Sequence, residues 1–207
     1  MTLQNGAGHE DLLKEFVDED HIVIGTTEDN GAVLGMGHVR RGGTGVTNVG
    51  MLVEDKEGFL PQLKEAFDQC GFNVKIHENI QTLIWDKLFT NVSLSALTGV
   101  LQVDMGYIAA NEYAWDLCCQ LIHETVKTAA AAGLDFDEEK VREKVKNTSI
   151  NNPKGCTSIR ADLRDGRKTE VDTISGAVVR AAHKHGVEVP GHECIVRLVH
   201  AMEGRNK

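Results

Sequence analysis

Lys87 and Asn91 stand one helical turn apart in the stretch NIQTLIWDKLFTNVSLSALTG (79–99). Ile80, Ile84, Leu88 and Val92 mark an apolar stripe along it. At roughly 100° per residue, Lys87 and Asn91 fall in the middle of that stripe rather than opposite it. Ser95 adds a third polar group one turn further on. A row of amine, amide and hydroxyl on an otherwise apolar face reads as the polar lining of a cleft. An amine partly withdrawn from water has a lowered pKa and can give a proton near neutrality. The ordinary alternative is a lysine snorkelling from the stripe edge. Asn91 and Ser95 on the same face weigh against it.

A second constellation lies in CTSIRADLRDGRKTEVDTISGAVVRAA (156–182). A helix over 169–185 places Glu170 on the face of Ile174, Ala177, Val178 and Ala181. Thr169 as an N-cap, with Asp172 completing a capping-box-like pair, explains an acid at a helix start. It does not explain an acid on the apolar side. A carboxylate there can accept a substrate hydroxyl or hold an ammonium group. Ser158 is as readily an ordinary N-cap as a ligand. Three glycine groups begin G-x-G-x-x-G, at Gly6, Gly35 and Gly43, but Asp11, Arg40 and Asn48 occupy the third places. None completes a dinucleotide fingerprint.

The elements that must position these residues change character near residue 77. Before it, short β-like runs predominate (21–27, 31–39, 45–52 and 72–77), interrupted by helical pieces near 10–17 and 58–69. After it, helices are expected near 79–98, 106–132, 137–147, 157–165, 169–185 and 191–203, with stops at Gly133 and Gly186. The chain therefore reads as an α/β portion over 1–77 followed by a larger all-α domain over 78–207. The opening MTLQNGAG looks like a strand end running into a glycine turn and a helix, which leaves a small sheet with an open edge.

The 207 residues carry a net charge of −9, which argues against a nucleic-acid or anionic-membrane surface. No run reaches membrane-spanning length and no signal pattern opens the chain, so a cytoplasmic protein is expected. Five scattered cysteines without CxxC indicate neither a disulfide framework nor a zinc site, and read as reduced thiols in or near the core. The nine histidines lack a metal spacing, and His183 and His185 read as surface residues near a helix end. No metal is expected.

Four segments together resemble the ketopantoate reductase (2-dehydropantoate 2-reductase) family: LQNGAG, WDKLFTN, SIRADLRDGRKTEVDTISG and AAHKHGVEVPGHECIVRLVHAMEG. The likeness runs over nearly the whole chain. It implies NADPH-dependent reduction of 2-dehydropantoate to pantoate, a step toward pantothenate and coenzyme A. It also implies a helical domain, a homodimer and a Rossmann-like domain of which the α/β portion over 1–77 is the remnant. Carried over by motif, Lys87 would be the general acid, and Asn91, Ser95, Ser158 and Glu170 would bind the small 2-oxo acid. Asn5 and Gly6 would lie at the nicotinamide, with Asn5 helping to place Lys87. Ser95 stands where many relatives have a second asparagine, Met105 where a further substrate-binding asparagine is expected, and Ile159 and Ala161 depart from the common Ser-Met-x-Gln-Asp. The resemblance also implies a piece of a reductase without the first Rossmann half. Two alternatives stand beside it: a non-catalytic helical dimerisation or binding module, and a relative that reduces another 2-oxo acid.

Overall fold

A computed structural model describes residues 1–206. Its chain groups into two compact units, one comprising Met1–Gln4 and Gly8–Ile84, the other Asn5–Ala7 with the chain from Trp85 onward.

The first unit holds a three-stranded sheet of order β1 (Val23–Thr27), β4 (Val46–Met51) and β5 (Asn73–Ile76). β1 and β4 pair antiparallel with Val23 opposite Met51 and Gly25 opposite Val49, whereas β4 and β5 run parallel. Parallel neighbours need a crossover, and helix α2 (Phe59–Gln69) supplies it and packs on β5. The apolar runs of the strands meet the inner face of α2 in a core of Val23, Val49, Met51, Leu60 and Val74, flanked by Leu3, Leu63 and Phe67. Helix α2 starts where it does because Asp55 accepts the Phe59 and Leu60 amides at 2.9 and 2.8 Å. The start of the chain lies alongside β1, with Thr2 bridged in parallel to Ile24, before helix α1 (His9–Leu13).

The stretch 31–39, which reads as one β-like run, is instead the first strand, the turn and the start of the second strand of a hairpin. β2 (Gly31–Gly35) and β3 (His38–Arg41) pair antiparallel about Gly37 at φ 69°, a backbone that glycine adopts without steric cost.

The second unit is helical. Helix α3 (Ile80–Thr90) brings the chain into it, followed by α4 (Ala96–Leu101), α5 (Met105–Ala110), α6 (Glu112–Ala131), α7 (Glu138–Asn151), α8 (Ser158–Arg164), α9 (Ser175–His185) and α10 (Pro190–Glu203). Phe89, Leu94, Ile108, Ile122, Ile159, Ile174, Val178 and Val199 are among its fully buried residues. The helix expected over 106–132 is two helices. Asn111 takes an extended backbone, and its side chain accepts the Ala114 amide to cap α6. Helix α10 is capped from a distance: buried Glu124 of α6 accepts the Gly191 and His192 amides at 2.9 and 3.1 Å.

The cysteines differ from expectation. Cys118 is buried, and burial pushes its thiol up to about 12. Cys119 is half-buried, while Cys70, Cys156 and Cys194 are exposed. His183 and His185 are exposed at the C-terminal end of α9, which Gly186 closes at φ 68°.

Candidate active site

The candidate site residues Lys87, Asn91, Ser95, Ser158 and Glu170 fall in the helical unit, as do Asn5 and Gly6 from the beginning of the chain. The apolar stripe of α3 behaves as its spacing demands. Ile80, Ile84, Leu88 and Val92 are buried, and Lys87 and Asn91 are half-buried at one turn from each other.

One helix over 79–98 is not what the chain forms. Residues Asn91–Ser95 make a π turn between α3 and α4. The Ser93 hydroxyl donates to the Phe89 carbonyl at 2.6 Å and the Thr98 hydroxyl to the Leu94 carbonyl at 2.7 Å. Such back-bonds loosen the ordinary ladder on both sides of the widened turn. The extra residue in that turn rotates everything after it. Ser95 is thereby turned inward, only 4% exposed, and its hydroxyl has no hydrogen-bond partner among the described residues.

Glu170 is reached differently from the sequence argument. Helix α9 begins at Ser175, so residues 169–174 form a turn before it and Thr169 is not its N-cap. The turn closes on itself: the Glu170 carbonyl accepts the Thr173 and Ile174 amides, both at 3.1 Å. Thr169, Val171 and Ile174 are the residues it buries, and Glu170 is left half-exposed. Its Oε2 accepts the Asn5 side-chain amide at 3.3 Å, across 165 positions of sequence. The backbone beside Asn5 is locked to the same turn. Ala7 N–H donates to the Thr173 carbonyl at 2.9 Å, and Gly6 sits at φ 97°. A Cβ on Gly6 would lie 1.9 Å from the Thr173 oxygen. Only glycine permits that approach.

Ser158 is the first residue of α8 and is exposed. The N-cap is its neighbour Thr157, which accepts the Arg160 amide and pairs its hydroxyl with that of Thr98 at 2.7 Å. α8 packs on α4 and on the π turn, with Ile159 closing over Gly99. The Thr98–Thr157 pair escaped the sequence reading, and nothing in the spacing of two isolated threonines points to it. Met105 is buried and its carbonyl accepts the Ser149 hydroxyl at 2.6 Å.

The arrangement thus has two parts. One is an amine and an amide along α3 and the π turn. The other is a carboxylate–amide pair, Glu170 with Asn5, on a glycine-tightened turn. Such a set can donate a proton, orient a hydroxyl and hold a small polar acid. Among the described residues no group of His, Cys, Asp and Glu is placed to hold a metal ion. No helix among them is long and apolar enough to cross a membrane.

The C-terminal model of ketopantoate reductase PanE/ApbA matches residues 79–203, and the ketopantoate reductase PanE/ApbA model matches residues 1–54. The chain belongs to the ketopantoate reductase family. It is 29% identical to the 2-dehydropantoate 2-reductase of Streptococcus pyogenes serotype M6 over 204 residues, and 30% identical to that of Halobacterium salinarum over 199 residues. These alignments take in 98% and 96% of this chain but 66% and 65% of those relatives, so the chain spans just under two thirds of their length. Among solved structures it resembles D-mandelate dehydrogenase with NADH and anilino(oxo)acetate (TM-score 0.87, 29% identity, 98% of this chain and 66% of that one).

Proposed function

We propose that this chain carries the substrate-binding and proton-donating part of an NADPH-dependent reductase that converts 2-dehydropantoate to pantoate. The observation that carries this reading is the Asn5–Glu170 contact. It joins the first and third of the four family segments, 165 positions apart, within the unit that also holds Lys87, Asn91 and Ser158.

The chain holds no complete dinucleotide fingerprint, and its Gly6–Gly8 turn opens onto a helix of five residues. By family motif the residues that would meet the nicotinamide are Asn5, whose side-chain amide also reaches Glu170, and Gly6 beside it. When bound, the reduced nicotinamide supplies a hydride to the ketone carbon. Negative charge then builds on the ketone oxygen, and an ammonium group stabilises that charge and ends it by proton transfer. Lys87 Nζ is the donor. Asn91 and Ser158 hold the carboxylate end of the substrate. Glu170 accepts its hydroxyl and Asn5 keeps the Glu170 carboxylate oriented.

Lys87→Ala should lower kcat by about two to three orders of magnitude, roughly 2–4 kcal/mol of transition-state stabilisation. Glu170→Ala should act mainly through KM. Steady-state kinetics with 2-dehydropantoate, following nicotinamide oxidation and with Tm as the control, tests both. A Lys87→Ala protein retaining more than about a third of wild-type kcat, under ~1 kcal/mol, removes Lys87 from the mechanism.

A second reading is reduction of a different 2-oxo acid with an aromatic side chain. The likeness to D-mandelate dehydrogenase favours it, its 29% identity equalling that to the Streptococcus pyogenes reductase. So do Ser95 and Met105 at the departing positions. Comparing kcat/KM for 2-dehydropantoate and for the 2-oxo acid of mandelate, each with NADPH and NADH, separates the two. The homodimer implied by the family is tested by light scattering over a concentration series.

A further inference from the structure

The turn that presents Glu170 is moored at two points, Thr169 and Asp172, to the last turn of α10. Glu203 Oε1 accepts the Thr169 amide and the Thr169 hydroxyl, each at 2.7 Å. Glu203 Oε2 meets His200 Nδ1 at 3.0 Å, and His200 Nε2 meets Asp172 Oδ1 at 2.9 Å. The chain of contacts therefore runs from Thr169 through Glu203 and His200 to Asp172, with Glu170 between its two anchor points.

The chemistry of the ring decides what this arrangement does. Both partners of the imidazole are carboxylates, which only accept when ionised. A neutral imidazole has one N–H and can satisfy one of them. An imidazolium has two and satisfies both. The mooring is complete only while His200 carries a proton, and on deprotonation one end faces a lone pair.

We infer that His200 is a protonation-dependent positioning residue, holding the Glu170 turn through Glu203 and Asp172 in its charged form and releasing the Asp172 end when neutral. The hydrogen bond to Glu203 is the main cause holding the His200 proton above the usual histidine range, against a smaller opposing effect of burial, with Asp172 adding to it. The charged groups facing the ring are Glu203 on its own helix and Asp172 on the turn. Arg180 of α9 approaches the turn but donates to the Asp172 carbonyl at 2.9 Å. In its consequence for turnover the inference rests on the function proposed above. In its consequence for the turn it does not.

The test uses the full chain with labelled histidine and amide nitrogens. In the wild type, the His200 ring should titrate above about 6.5. The Val171 backbone amide and the Asn5 side-chain amide should shift with the same midpoint. In His200→Gln those two signals should stay flat across that range, while His183→Gln, an exposed histidine pair partner elsewhere, should leave the wild-type behaviour intact. KM for 2-dehydropantoate should rise several-fold across the His200 midpoint with kcat changed less than about two-fold, and His200→Gln should show the raised KM at every pH. Val171 and Asn5 signals that ignore the His200 titration in the wild type overturn the inference, and that measurement needs no variant to fold. A KM that keeps its pH dependence in His200→Gln overturns it as well. A turn that follows His200 in a protein that reduces no 2-oxo acid leaves the positioning role standing and refutes the proposed function instead.

Discussion

The hairpin β2–β3 and the turn of residues 169–174 are both short departures from the packed layers, and they are held in opposite ways. The hairpin pairs chiefly with itself. Its register is set by Val33 opposite Val39, and its base is tied by Asn30 to Gly42 and Gly43. Val33 is 79% exposed and Met36 fully so. The turn at 169–174 is anchored by Glu203 at one end, by the Ala7 amide at the other, and by Val171 and Ile174 driven into the core. A side chain meant to meet a ligand gains from a backbone that cannot drift, and the turn carrying Glu170 has one. The hairpin has no such restraint and carries none of the candidate residues.

Breaking the tighter region should have the largest effect. Gly6→Ala forces a Cβ to 1.9 Å from the Thr173 oxygen at a backbone angle that alanine disfavours. A loss of about 2–4 kcal/mol is expected from crowding and strain together. Thermal unfolding measures it, and a Tm unchanged from wild type would mean that the close approach is absent.

Next in size is Glu203→Ala. It leaves the Thr169 amide, on a residue only 7% exposed, without its acceptor. About 1–3 kcal/mol is expected. Faster exchange of the Thr169 amide, with exchange on β4 unchanged, would place the loss in the turn. Uniform acceleration would not.

The pH dependence of stability follows from two histidines of opposite sign. His200 has a raised pKa, so its contribution is fully present below the unfolded value near 6.5 and is lost as pH rises through the folded one. His192 is fully buried. Burial is the main cause lowering its pKa, and its Nδ1 has no partner among the described residues. Its folded pKa lies below the unfolded one, so stability falls as pH drops below about 6.5 and the unfolded chain takes the proton first. Tm followed against pH should decline on both sides, and His200→Gln should flatten only the alkaline side. An unaltered alkaline decline would show that His200 is uncharged in the native state.

The smallest effect sharpens the comparison from the other side. Val33→Thr and Met36→Ser replace exposed apolar groups on the hairpin, and stability should stay within about 0.5 kcal/mol of wild type. A larger loss would mean that the hairpin is covered.

Much of the site was legible because it depends on periodicity and residue type. The spacing of Ile80, Ile84, Leu88 and Val92 determined which face of α3 is buried, and with it the awkward positions of Lys87 and Asn91. The change from β-like to helical patterning, the helix stop at Gly186 and the acid at Glu170 were equally local facts. What the spacing assumed was an unbroken ladder. Ser95 was projected onto the row of Lys87 at a constant rotation per residue, and the π turn, with the Ser93 and Thr98 hydroxyls back-bonded beside it, changed that rotation. The same assumption placed Thr169 and Glu170 inside a helix. The chain instead leaves them in a turn, because Glu203 satisfies the Thr169 amide and hydroxyl from 34 positions away. Long-range partners of this kind decided the rest: Asn5 on Glu170, Ala7 on Thr173, Glu124 capping α10 and His200 between two carboxylates. A hydrogen bond between residues distant in sequence leaves no period to read, and its strength depends on distances that exist only once the helices have packed.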